Sequence, residues 1–264
     1  MNQAIVLEPE QAGGAPISRN DALAAVLWAV VIPMGVAIVV ATIFLAGMIA
    51  TTPGLSADRI VAALESNFYF TVAATTAGDA VVFWVLWRRA KRFSARPLAQ
   101  FLPAVRIGTL LWAAASAVAL VIATAAVEIV LKRNYGLSLA PSPTETAMMP
   151  KSWTQLGLVM AAFAVFVPLF EEVLFRGFVL GWLKRVTPVW FAILASAAIF
   201  ALFHGLYFTR ETISGLVGTG EIFVMGVLLA WWAAHAKSLW PSFVVHFVAN
   251  AAAFSLAFFL PGWP

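Results

Sequence analysis

Seven stretches of this 264-residue chain each run for 17 residues or more on mostly apolar side chains. A helix needs roughly that length to cross about 30 Å of hydrocarbon. The stretches are 22–50, 67–87, 108–131, 153–183, 188–206, 220–236 and 239–260, the first interrupted by Pro33. Because a lipid environment leaves no backbone group unpaired, each is expected to be helical. Composition supports this: 62% of residues are hydrophobic and only 11% are charged, where a soluble domain carries about 25% charged residues. The fold class read from the chain is therefore all-α, a polytopic membrane protein with a bundle of about seven transmembrane helices.

The remaining features divide the chain. Residues 1–21, polar and carrying Pro and Gly, read as a disordered cytoplasmic tail. Residues 22–150 read as N-terminal transmembrane helices and 151–264 as a catalytic transmembrane core. The first apolar run is too long for the core of a cleaved signal peptide and is read as a retained helix. The connection at 134–152, rich in Pro and Thr, reads as a lid or an ordinary loop. With no cysteine in the chain, disulfides, thiolate catalysis and cysteine-held metals are excluded. The net charge of +4 lies mostly at helix ends, as membrane topology requires, and no basic stretch interleaves with aromatics as nucleic-acid binding would need. With the N-terminus cytoplasmic, that side collects Arg19, the basic residues between 88 and 106, Lys184, Arg185 and Lys237. Arg59, Lys132, Arg133, Lys151 and Arg210 fall opposite. Alanine-rich composition adds the expectation of a bacterial cytoplasmic (inner) membrane. The tryptophans mostly flank helix ends, as an aromatic belt does.

The fourth apolar stretch contains Glu171, Glu172 and Arg176 within six positions, FEEVLFR. Each ionisable group costs roughly 2.5–3.5 kcal/mol near a helix centre, so the three must pair or face a cavity. Glu172 and Arg176 are four apart and share a helix face. Glu171 is turned about 100° away and can address something else. Alone, the cluster fits a structural charge network equally well. Two further clusters bear on the choice. The fifth stretch holds Phe200 and His204 four apart, and the seventh holds His246 and Asn250 four apart. From the turn at 183–188, Glu171 and His204 lie roughly 18 and 22 Å along their helices, and His246 lies roughly 13 Å from the same surface. One shared buried polar cavity follows. Asp79 and Glu128, acidic groups in apolar surroundings, either line that cavity, pair with a basic group, or reach an interface.

In order, EEVLFR, FALFH and HFVAN match the EExxxR, FxxxH and HxxxN signatures of the CPBP family, and over about 171–250 the chain resembles that family of CAAX prenyl endopeptidases and bacteriocin-processing or immunity membrane proteins. The resemblance implies an intramembrane endopeptidase. Glu171 would activate water, His204 would hold that water, His246 and Asn250 would stabilise the oxyanion, and Glu172, Arg176 and Phe200 would support the site. Its partners would be membrane lipid and a peptide or protein substrate, lipidated or membrane-anchored. No cofactor is required, although His204, His246 and Glu171 are a donor set that suits zinc with an open water position. Against zinc, Asn250 is a natural oxyanion donor and no HExxH occurs. Two other functions fit the same scaffold: a non-enzymatic immunity or interaction protein, and a small transporter relaying protons, for which the paired broken helices and repeats of transporters are missing.

Overall fold

The computed structural model describes residues 17–51, 54, 56–91, 101–137, 143–205 and 212–260. Most of the expected tail, Arg92 and Arg96 of the basic run, part of the 134–152 connection, and Arg210 lie outside the described residues.

Nine helices occur among them, and no strand. They are α1 (Arg19–Thr51), α2 (Ala57–Glu65), α3 (Phe68–Ala90), α4 (Ile107–Tyr135), α5 (Pro143–Met148), α6 (Trp153–Val186), α7 (Val189–Gly205), α8 (Thr212–Ala236) and α9 (Trp240–Phe259). Six are long and apolar enough to span a membrane. The fifth apolar stretch forms α7, a 17-residue helix of roughly 25 Å, short of a full crossing. The expected all-α, polytopic architecture is thus the one observed.

Local chemistry sets the helix ends. Ser18 and Asp21 form a capping box at the start of α1. The Asp21 N–H donates to Ser18 Oγ at 3.2 Å, and Asp21 Oδ2 accepts from the Ser18 N–H at 2.9 Å, satisfying free N–H groups of the first turn. Helix α1 therefore starts inside the segment expected as tail. Arg89 at the end of α3 closes on Asp21 at 2.6 Å. Asn67 caps α3 and Ser152 caps α6 by accepting N–H groups three residues on. Helix α4 stops at Gly136, whose φ of 64° is left-handed, the usual way to end a helix.

Helix α6 is the central shaft. Two-thirds of its apolar window (67%) is buried, against 6–22% for the other five spans. The pair α1/α3 packs on one side of it, α7/α8 on another, and α9 with α4 on a third. Large apolar side chains such as Leu27, Ile38, Leu111 and Ile122 stay exposed on α1 and α4, as a lipid-facing surface requires. Helix α6 is also irregular: Met160–Phe166 and Glu172–Val179 are π-helical. Such wide turns are rare and concentrate at functional sites.

Candidate active site

The wide turns have a chemical consequence. Pro168 has no N–H to give the preceding turn. In the wider π register, that leaves the Phe163 carbonyl, five residues back, without its backbone donor. Asn250 of α9 supplies the missing bond, donating from Nδ2 to Phe163 O at 2.8 Å. Further along α6, Ser196 of α7 donates to Phe175 O at 3.3 Å. The central helix is thus tied to both neighbours through carbonyls of its irregular stretches.

Glu171 and Glu172 leave α6 in different directions, as the helical angle between them requires. The Glu171 carboxylate lies between two imidazoles: His204 Nε2 is 3.4 Å from Oε1, and His246 Nε2 is 3.4 Å from Oε2. Both distances exceed the 2.7–2.9 Å of a strong charge-assisted bond, so the carboxylate keeps capacity for a third partner. The outer nitrogens hold the rings in place. His204 Nδ1 donates to Phe200 O at 2.9 Å, and His246 Nδ1 lies 3.0 Å from Glu172 Oε1. With a carbonyl as its partner, His204 Nδ1 must carry a proton, which turns Nε2 toward Glu171.

Glu172 is fully buried and saturated. Arg176 Nη1 is 3.3 Å from Oε1, His246 Nδ1 approaches the same oxygen, and the Ser242 hydroxyl donates to Oε2. The Arg176 guanidinium sits 4.3 Å over the Phe200 ring and donates from Nη2 to Gly226 O at 3.4 Å. Phe200 in turn packs edge-on against His246 at 5.9 Å and beside His204 at 4.3 Å. One charge network therefore fixes both catalytic-type imidazoles.

Six of the seven residues read from the sequence meet in this cluster. Asn250 stands one turn beyond His246, its amide engaged with Phe163 O; a second N–H of the same amide remains. Ser242 and Gly226 were missed. Ser242 is four residues before His246 and so on the same face of α9, a signal the spacing did offer. The difference in expected depths also resolves. Phe101 packs on Gly177 and its carbonyl accepts the Leu239 N–H at 2.9 Å. Helix α9 therefore starts well above the end of α6, which lifts His246 to the level of Glu171.

Among the described residues, no group of three or more His, Asp or Glu side chains is arranged to hold a metal ion. His204, His246 and Glu171, the donor set read for zinc, do converge on one another, and no step below is routed through a metal.

The fold and the cluster together define a polytopic all-α membrane protein with a buried carboxylate–imidazole centre. Residues 153–252 match the family model of the type II CAAX prenyl endopeptidases, Rce1-like. That segment spans α6 to most of α9 and contains every residue of the cluster. That match supports the resemblance to the CPBP family of intramembrane proteases. Searches of curated proteins and of solved structures find no match. Helices α1 to α5 lie outside the matched segment.

Proposed function

We propose that the protein is an intramembrane endopeptidase that hydrolyses a peptide bond of a lipidated or membrane-anchored substrate with water activated by Glu171. The observation that carries this reading is the Glu171 carboxylate held at 3.4 Å from two imidazoles and open to a third partner. A water there gives its proton to Glu171 and attacks the scissile carbonyl carbon; His204 holds the water by Nε2. The tetrahedral oxyanion is stabilised by a proton on His246 Nε2 and by the second Asn250 N–H, a contribution of several kcal/mol in a dry site. The C–N bond then breaks and Glu171 returns the proton to the leaving amine. Glu172, Arg176, Ser242 and Phe200 keep both rings in position. The similarity to type II CAAX prenyl endopeptidases supports a prenylated peptide as the first substrate to try.

The test is Glu171→Gln beside Glu172→Gln, with cleavage of an S-farnesylated, internally quenched peptide read against folded yield in detergent. Loss of a general base lowers the rate about 10²- to 10⁴-fold, so Glu171→Gln is expected to be folded and inactive. Wild-type cleavage by a folded Glu171→Gln protein refutes the general-base assignment, and absence of cleavage by the folded wild type returns the scaffold to a non-enzymatic role. We further assign the N-terminus to the cytoplasmic side of a bacterial inner membrane, from the basic ends of α3, α6 and α8. As the chain has no native cysteine, single cysteines at Lys237 and Arg133 test this by impermeant labelling of intact cells. Labelling at 237 and protection at 133 would reverse the orientation.

A further inference from the structure

Helix α3 lies outside the matched family segment, yet it packs directly on residues 167–171 of α6. It brings a third carboxylate to the centre. Asp79 is within electrostatic reach of both Glu171 and His204. Among the described residues it makes no hydrogen bond and no ion pair, although it stands in a membrane span. One turn before it on the same face, the Thr76 hydroxyl is buried and has no hydrogen-bond partner among the described residues either. An unpaired ionisable group inside a membrane is costly and points to a function. A buried hydroxyl without a partner is costly as well, and two such groups on one face, of which Asp79 reaches the catalytic pair, indicate a polar ligand.

An extended peptide entering the membrane has the complementary need. Its own N–H and C=O groups lose water and must be matched by the protein. Donors for carbonyl oxygens are at hand in His246 and Asn250. Acceptors for N–H groups are scarce: Glu172 is saturated, and Glu171 is committed to the water. The remaining carboxylate is Asp79. We propose that Asp79 binds a backbone N–H of the substrate next to the scissile bond, with Thr76 donating to a neighbouring carbonyl, so that α3 forms the substrate-holding wall of the site. This rests on the peptidase reading above and adds to it a substrate-contacting residue from the N-terminal half.

The experiment uses the full chain in detergent and the farnesylated quenched peptide, together with a series in which each backbone amide in turn, except the scissile one, is replaced by an ester. The ester has no N–H to give. A hydrogen bond to a carboxyl oxygen contributes roughly 3- to 100-fold in binding. One ester near the scissile bond is therefore expected to raise KM by that factor in the wild type, with kcat within about threefold. Asp79→Leu is expected to show the same raised KM toward the all-amide peptide and no further penalty from that ester. Thr76→Val is expected to raise KM by a smaller factor. If Asp79→Leu does not fold, Asp79→Asn carries the same comparison, because it keeps the shape and an acceptor oxygen but weakens the bond; the ester penalty should then shrink at least threefold. A wild-type KM in the Asp79 variant, an unchanged ester penalty in it, or a fall in kcat at constant KM overturns the proposal. If instead wild type cleaves none of the series, it is the peptidase reading that fails and this inference falls with it; cleavage by Glu171→Gln at the wild-type rate removes only the general-base role of Glu171.

Discussion

Replacing Arg176 by Met removes the positive charge from a fully enclosed network while keeping most of the side-chain volume. Arg176 is 2% exposed and Glu172 0%, so no water is near to screen either charge. Arg176 Nε and Nη1 make no hydrogen bond among the described residues. Its contribution is therefore chiefly charge against Glu172 Oε1 at 3.3 Å and stacking on Phe200. Breaking one partner of a buried pair typically costs 3–5 kcal/mol, and a desolvated cation–π contact about 2 kcal/mol. Ser242 and His246 stay bound to Glu172 and soften the loss, which places Arg176→Met at about 3 kcal/mol. Glu172→Gln should cost a similar amount by stranding the guanidinium. The double variant carries neither buried charge and should return to within about 1 kcal/mol of wild type, as neutral replacements of buried pairs do. The assay is SDS titration of purified protein in mixed micelles, read as a double-mutant cycle. Simple additivity of the two single losses would refute the reasoning, because it would mean that the charges are not coupled.

The remaining predictions concern the frame around the pair. Gly226→Ala would place its Cβ 3.2 Å from Ala197 Cα and Cβ; such overpacking costs about 1–3 kcal/mol, and by moving α7 it should lower activity, with Ala197→Gly restoring both in the same unfolding and cleavage assays. Asn250→Leu should destabilise the protein by about 1–3 kcal/mol by leaving Phe163 O unpaired, and Pro168→Ala, which returns an N–H to that turn, should recover part of it on unfolding; equal losses with and without Pro168→Ala would sink the link between the two residues. Cleavage of the quenched peptide should survive dialysis against a strong divalent-metal chelator to within about twofold. A loss restored by added zinc would move Glu171, His204 and His246 into a ligand role.

The site was legible because ionisable groups stand out in apolar helices. Glu171, Glu172, Arg176, His204 and His246 could be picked out singly, and the 3.6-residue turn was enough to separate the two carboxylates and to bring His204 near the level of Glu171. What spacing could not supply was the rotation and depth of each helix against its neighbours. Nothing along α3 says which face meets α6, so Asp79 stayed between three readings until packing placed it. The late start of α9 depends on Phe101 filling the space at Gly177, a contact between residues 76 positions apart. The π-helical turns are a response to packing and to Pro168, and they have no periodic signature of their own. Spacing could have placed Ser242 on the face of His246, but serine is common in membrane helices and its meaning depends on Glu172 lying opposite.

Two carboxylates that are neighbours in sequence end in opposite conditions, and this difference explains how one helix both holds the site and leaves it reactive. Glu172 has three partners and no exposure; adding a proton or a water to it would break bonds already made. Glu171 has two imidazoles at 3.4 Å and 7% exposure, so it can accept another donor without losing a short bond. His246 touches both, through Nδ1 to Glu172 and Nε2 to Glu171. The saturated carboxylate thereby sets the orientation of a ring that faces the unsaturated one. Exchanging the roles of the two glutamates would require turning α6 by about 100°, which the Asn250 and Ser196 bonds to its carbonyls oppose. The irregular turns of the central helix therefore bear on the chemistry: they expose the carbonyls by which α7 and α9 hold α6 at the one rotation that points Glu171 into the site.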